Sequence, residues 1–187
     1  MMEMSMLGTM TLIPMLLYFI VPLCPLIYLV AKWKGYRENW VDDSQLGLKA
    51  ILHYFRLICL HLGLLGAFVT IMGLILSEGR TARVGLALIV AGGGGFVLHL
   101  RWLARRTNNA SVATMDRLYG ACNWILCGLL ALGGLVVFLV VLLEGEAART
   151  VFITLAFFVI YATAWALQAA IFLRLPQVPR QNPPAPE

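Results

Sequence analysis

The sequence predicts an all-α integral membrane protein, a single bundle of five transmembrane helices. Of the 187 residues, 61% are hydrophobic and 12% are charged, whereas soluble domains carry about 25% charged residues. The hydrophobic residues are gathered into long runs separated by short polar segments. Each run is about 20 residues or more, which is enough for a helix to cross the ~30 Å hydrocarbon layer of a bilayer.

The first predicted helix covers about residues 6–31. No basic residue precedes it, so it is interpreted as a retained helix rather than as a cleaved signal peptide. Pro14, Pro22 and Pro25 interrupt this helix, and each interior proline removes a backbone hydrogen bond and bends the helix. The resulting kink is either a packing feature or part of the lining of a cavity.

A lead-in to the second helix, residues 44–56, combines cationic and apolar side chains. At 100° per residue, its cations fall within one arc, while Ile51 and Phe55 occupy other faces. We expect the cationic arc to be solvated at the headgroup level, because long basic side chains reach the membrane interface. Its functional interpretation is a docking stripe for a partner or an anionic lipid. The predicted interfacial basic stripe comprises Lys49, His53, Arg56, Arg101 and Arg105.

The second and third helices, 52–76 and 84–103, are predicted to form a hairpin about the short turn Ser77–Arg83. Folding the chain back about this turn places glycines of the two helices level with each other. Small residues at matched depths let backbones approach closely, which favours helix association in lipid. We therefore expect glycine contacts along the hairpin and expect Leu88 to face lipid. The level pairs are Gly73 with Gly85, Gly66 with Gly92, and Gly63 with Gly95.

The fourth and fifth helices are predicted over 118–143 and 151–173. Residues 1–175 thus form one bundle, and the proline-rich tail 176–187 is expected to be disordered. The turns Leu76–Arg83 and Leu142–Arg149 are identical at five of eight positions, at an offset of 66 residues. One interpretation is a first helix followed by two duplicated hairpins. Shared turn chemistry without common ancestry is the other.

The basic residues predict the orientation of the bundle. Of the 14 lysines and arginines, three lie in the turns after the second and fourth helices, namely Arg80, Arg83 and Arg149, and 11 lie in the other connections and the tail. Cytoplasmic segments are enriched in lysine and arginine. We therefore expect the N-terminus outside and the C-terminus in the cytoplasm, in a bacterial cytoplasmic (inner) membrane.

Few polar groups in the apolar runs offer chemistry. All nine acidic residues lie outside these runs, which argues against a proton-coupled carrier. His61 and His99 are weak candidates for haem ligands, because they lie at similar depth but are turned away from each other. Asn123 and Gln168 lie at comparable depth, where their amides can hydrogen-bond across a hairpin. No catalytic or metal-binding motif is present, so we predict no cofactor and no enzymatic activity.

The function that follows is a non-enzymatic multi-pass membrane protein, a structural or accessory subunit of a larger membrane complex. Expected partners are membrane lipids and other membrane-protein subunits or a second copy of the chain. Nucleic acid is excluded, because the basic residues flank apolar runs instead of forming one basic face. The alternatives are a small-solute or ion channel or transporter formed by oligomerisation, and a haem-b-binding electron carrier.

Overall fold

A computed structural model describes residues 23–37, 45–99 and 112–174. This part of the chain is helical apart from two turns. Four helices are long and apolar enough to cross a membrane, over Leu46–Ile75, Gly79–Leu98, Met115–Leu143 and Ala148–Ile171. These spans support a multi-pass integral membrane protein. The five helices are α1 (Leu23–Arg37), α2 (Leu46–Ile75), α3 (Gly79–Leu98), α4 (Val112–Leu143) and α5 (Ala148–Arg174).

The helices differ in extent from the prediction. The predicted first span, 6–31, lies largely outside the described residues, and α1 continues past Ala31 to Arg37. The lead-in 44–56 is not a separate element, because α2 runs for 30 residues without a break from Leu46. Helices α3 and α4 begin five and six residues earlier than predicted, at Gly79 and Val112. Polar residues that the sequence assigns to connections are therefore helical.

Helix α2 lies at the centre of the described bundle and packs against all four other helices. Near its start, Ala50 packs with Ala31 of α1 and Met115 of α4. Nearer its end, α2 packs on α5 through a cluster around Phe68, whose ring makes an edge-to-face contact with Phe157 at 5.1 Å between centroids. Helix α3 packs extensively on α2 alone within the described part of the chain.

Both described turns leave their helix through a residue in the left-handed conformation, Ser77 at φ 59° and Gly145 at φ 69°. In the first turn, the Glu78 N–H donates to the Gly73 carbonyl oxygen at 2.8 Å, and an equivalent bond closes the second turn. This is the Schellman geometry that ends many helices. The two left-handed residues are 68 positions apart, whereas the sequence match has an offset of 66. Gly79, which the sequence match pairs with Gly145, instead begins α3. The matching letters therefore occupy different places in the two turns and do not support a duplication.

The hairpin of α2 and α3 has a different register from the predicted one. A Cβ added to Gly92 would lie 2.5 Å from the Gly63 nitrogen. A Cβ added to Gly66 would lie 2.6 Å from the Ile89 nitrogen. Gly66 is thus level with Ile89 and not with Gly92, a shift of three residues. The reason is the turn, since the chain folds back about Ser77 and not about Gly79.

The other predicted packing glycines also lie along this hairpin. Gly73 lies against Ala82, and Gly85 lies against Thr70 and the Gly66 carbonyl. A Cβ on Gly95 would meet the Cys59 sulfur at 2.7 Å. Leu88 does not face lipid as expected, because its Cβ is 2.9 Å from the position that a Cβ on Gly66 would occupy. In this staggered register Gly63 meets Gly92, whereas the glycines that were predicted to pair are each offset by three residues.

Candidate functional site: a polar cleft at one end of the bundle

The polar face of α2 turns toward the bundle, not toward solvent. Lys49 is 1% exposed, whereas Ile51 and Phe55 are 59% and 49% exposed. Of the predicted stripe residues in α2, Lys49 is therefore not solvated, whereas the Arg56 side chain is 36% exposed. The physical reason is that α4 packs on the face that carries His53 and Arg56, through Asp116, and the apolar side chains Ile51 and Phe55 are left on the outer surface. The stripe residues Arg101 and Arg105 lie outside the described residues.

Asp116 of α4 joins two of these cations. The His53 Nε2 atom is 3.1 Å from Asp116 Oδ1, and Arg56 donates from Nη1 to the same oxygen at 3.2 Å. The His53 Nδ1 atom lies 2.8 Å from the Lys49 carbonyl oxygen. The network therefore places a carboxylate between a guanidinium and an imidazole, and ties α2 to α4.

Asp116, which the sequence places outside the apolar runs, lies at the very start of a helix that is long enough to cross the membrane. It is the second residue of the candidate span Met115–Leu143. The sequence contained a signal for it, since one carboxylate precedes an apolar run while His53 and Arg56 lie one helical turn apart at the start of another. Opposite charges at the same end of two packed helices are a reason to test for pairing.

A cleft opens beside this network, between α2, α4 and α5. Its volume is about 140 Å³, and a single water needs only roughly 10–15 Å³ of such volume. Charged groups therefore lie on one side of a space large enough for several waters or a small ligand group. Its rim includes Ile171, an apolar side chain that is 55% exposed on the outer surface. The polar lining residues are His53, Arg56, Asp116, Tyr119, Asn123 and Gln168.

Asn123 and Gln168, which were expected to lie at one depth, both line this cleft. The predicted hydrogen bond across the hairpin does not engage the Asn123 Oδ1 atom, which is buried without a partner. Tyr119 is held differently, because its hydroxyl donates to the Ala50 carbonyl oxygen of α2. The cleft is therefore lined by Tyr119, which is held in place by its hydrogen bond to α2, and by the amide of Asn123, whose Oδ1 atom is buried without a hydrogen bond of normal geometry.

Behind the cleft lie two further buried polar side chains. Neither the ring nitrogens of His61 nor the hydroxyl of Tyr161 make a hydrogen bond of normal geometry, although the Asn123 side chain lies beside His61. The two rings stack, with 6.3 Å between centroids and 17° between planes. Buried polar groups in folded proteins are nearly always hydrogen-bonded, to protein or to water. Together with Asn123, they form a buried polar group between α2, α4 and α5.

The two candidate haem ligands, His61 and His99, pack against different aromatic side chains. His61 stacks on Tyr161 of α5, whereas the His99 ring lies 6.0 Å from the ring of Phe55. Within the described residues the two imidazoles therefore pack on different neighbours and form no facing pair. The same residues contain no group of three or more histidine, cysteine or acidic side chains arranged to hold a metal ion.

No protein family, no curated protein and no solved structure matches this chain. The functional argument therefore rests on the residues themselves.

Proposed function

We propose that the chain is a non-enzymatic membrane protein that serves as a structural or accessory subunit of a larger membrane complex. The observation that supports this role best is the outer face of α3. Ala87, Ala91 and Gly94 are exposed on this face, and a Cβ added to Gly94 would meet no atom within 4 Å. Small residues three or four positions apart let a second helix approach closely in lipid.

The turns strengthen this proposal. The connection between α2 and α3 has three residues, Leu76 to Glu78, and that between α4 and α5 has four, Glu144 to Ala147. These turns offer little polar surface for recognition at that end of the bundle. At that end, a partner that binds the described helices would therefore use their lipid-facing sides. We propose a transmembrane helix of another membrane protein as the occupant of the outer face of α3.

The test compares two glycines that both have open space. Gly94→Leu places a branched side chain on the outer face of α3, and Gly133→Leu does the same on α4, where an added Cβ also meets nothing within 4 Å. Both tagged variants are purified from native membranes in mild detergent beside the unaltered chain. We expect Gly94→Leu to lose a co-purifying protein that the unaltered chain and Gly133→Leu retain.

Retention of the same protein by both variants would refute this use of α3. If the species lost is a second copy of the chain, seen as a halved mass by native mass spectrometry, the interface is a self-association. In that case the partner would be the chain itself.

We further propose that the N-terminus lies outside and the C-terminus lies in the cytoplasm, in a bacterial cytoplasmic membrane. Support comes from the basic residues, of which three of 14 lie at one end of the described helices, namely Arg80 and Arg83 near the start of α3 and Arg149 at the start of α5. Single cysteines placed in a background without native cysteines test this orientation. We expect external labelling at 78–81 and 144–147, and none at Asn108 or in the tail 176–187. External labelling of the tail would overturn the orientation.

A second candidate function is a small-solute or ion channel or transporter formed by oligomerisation. The observation that favours it is the buried polar group of His61, Asn123 and Tyr161, whose unpartnered atoms lie beside a cleft. Water or a polar solute that enters from the cleft would supply the missing hydrogen bonds. Proteoliposomes that are no more permeable to ions and small solutes than protein-free liposomes would refute this function. If flux is present, Asn123→Leu should abolish it.

A further inference from the structure

Beyond the subunit role, and independently of it, we propose that the polar cleft binds the headgroup of an anionic phospholipid that carries hydroxyl groups, such as phosphatidylglycerol. The phosphate lies against Arg56 and His53, and the headgroup hydroxyls reach Asn123. The acyl chains lie outside the cleft, along the exposed apolar surface of α5.

The cationic wall supports the phosphate position. The guanidinium of Arg56 has five N–H donors, and its described hydrogen bond to Asp116 uses Nη1 alone. Its side chain is 36% exposed, and its guanidinium lies over the ring of Phe96, with 5.7 Å between Cζ and the ring centroid. The described cleft has one carboxylate, from Asp116, against the guanidinium and the imidazole of His53. Guanidinium groups bind phosphate with charge-assisted hydrogen bonds, which are stronger than neutral ones.

The inner wall supports the hydroxyl groups. Asn123 is 8% exposed and lines the cleft, and its Oδ1 atom is buried on the side of His61. The amide group that lines the cleft can pair with a hydroxyl whichever way its oxygen and nitrogen are assigned, because a hydroxyl both donates and accepts. Gln168, from the facing helix, adds a second amide to the same lining. A headgroup with a phosphate but no hydroxyl would leave this wall unpaired.

The position of the cleft favours a lipid over a soluble anion. It lies where α2 and α4 begin and α5 approaches its end, at one edge of the candidate spans. Its rim residue Ile171 and the neighbouring Leu167 are 55% and 60% exposed on α5. An apolar exposed surface that continues from a polar cleft matches a lipid, with its headgroup inside and its chains outside.

The experiment measures the melting temperature of the purified full chain in detergent with added ligand. The ligands are dioleoyl phosphatidylglycerol, dioleoyl phosphatidylserine, dioleoyl phosphatidylcholine and soluble glycerol phosphate. We expect phosphatidylglycerol to raise the melting temperature by about 3 °C more than phosphatidylcholine, as for a ligand well above its Kd. Phosphatidylserine, which is anionic without headgroup hydroxyls, should give a smaller rise.

Two substitutions test the position. Arg56→Gln should remove the difference between phosphatidylglycerol and phosphatidylcholine. Its matched control Arg83→Gln, at an exposed arginine near the other end of the bundle, should keep the difference. Because the readout is a shift relative to each variant without ligand, a lower starting stability of Arg56→Gln does not affect it.

Asn123→Leu should reduce the response to phosphatidylglycerol to that of phosphatidylserine. Equal shifts with phosphatidylglycerol and phosphatidylcholine, or an unchanged response of Arg56→Gln, would overturn the proposal. An equal shift with soluble glycerol phosphate would overturn the lipid as the source of the headgroup.

Discussion

Replacing Gly92 with alanine should destabilise the bundle, although alanine is the better helix former. A Cβ on Gly92 would lie 2.5 Å from the Gly63 nitrogen and 2.6 Å from the Cys59 oxygen, which are both backbone atoms. Backbone cannot rotate away as a side chain does, so α2 and α3 must separate. Overpacking of this kind costs ~1–3 kcal/mol, and contact with backbone on two sides points to the upper end of that range.

The matched control is Gly94→Ala, two residues further along the same helix. An added Cβ there meets no atom within 4 Å, so only the gain in helix propensity of up to about 1 kcal/mol applies. That gain is common to both variants, and the difference between them isolates the strain. At ~2–4 °C per kcal/mol for a chain of this size, a strain of ~3 kcal/mol separates the two melting temperatures by about 6–12 °C.

The assay is thermal unfolding in detergent, followed by tryptophan fluorescence, with both variants and the unaltered chain in one buffer. The melting temperature of Gly94→Ala should equal or slightly exceed that of the unaltered chain, and the melting temperature of Gly92→Ala should be clearly lower. Identical melting temperatures for the two variants would show that Gly92 is not at a close helix contact. The staggered register of the hairpin would then be wrong.

Three further predictions concern a turn, a buried side chain and an ion pair. Ser77→Gly should stabilise the protein by about 1 kcal/mol, because the left-handed conformation is unfavourable for serine and not for glycine. Gly145→Ala should destabilise the protein by a similar amount for the same reason. Thermal unfolding measures both changes, and shifts of the melting temperature in the same direction would contradict the turn geometry. His61→Phe should raise the melting temperature, because phenylalanine keeps the ring stack and removes two buried nitrogens, each of which costs ~1–3 kcal/mol when unpaired. A lower melting temperature would indicate that water or a ligand pairs with the His61 nitrogens. Asp116→Asn should cost about 1 kcal/mol or less, as is usual for partly exposed ion pairs, and the loss should vanish in the background of Arg56→Gln and His53→Gln if the carboxylate acts through these two cations.

Much of the helical architecture could be predicted from the sequence, because it depends on local properties. Long apolar runs with few charges define spans, and short polar segments with glycine or serine define where the chain turns. The close contact of α2 with α3 also follows from local information, since a short turn forces two helices together and small residues permit their approach. The predicted spans 52–76, 84–103, 118–143 and 151–173 each overlap a helix of the structure.

The register of the hairpin required the tertiary structure. The sequence shows a polar stretch from Ser77 to Arg83, and its midpoint was the natural place to fold the chain. The structure folds it at Ser77 and continues Gly79 to Arg83 as the first turn of α3. Polar residues are compatible with a helix that extends beyond the hydrocarbon layer, so polarity marks the end of a membrane run but not the end of a helix.

The facing of α2 was decided by tertiary packing alone. In water, an apolar face indicates the interior, and on that rule Ile51 and Phe55 would be buried and Lys49 exposed. In lipid, the outer surface is apolar too, so the pattern on one helix does not show which face meets its neighbours. The cationic face is covered because α4 supplies Asp116 at the same level. That pairing joins residues 60 and 63 positions apart, and only the packed helices bring them together.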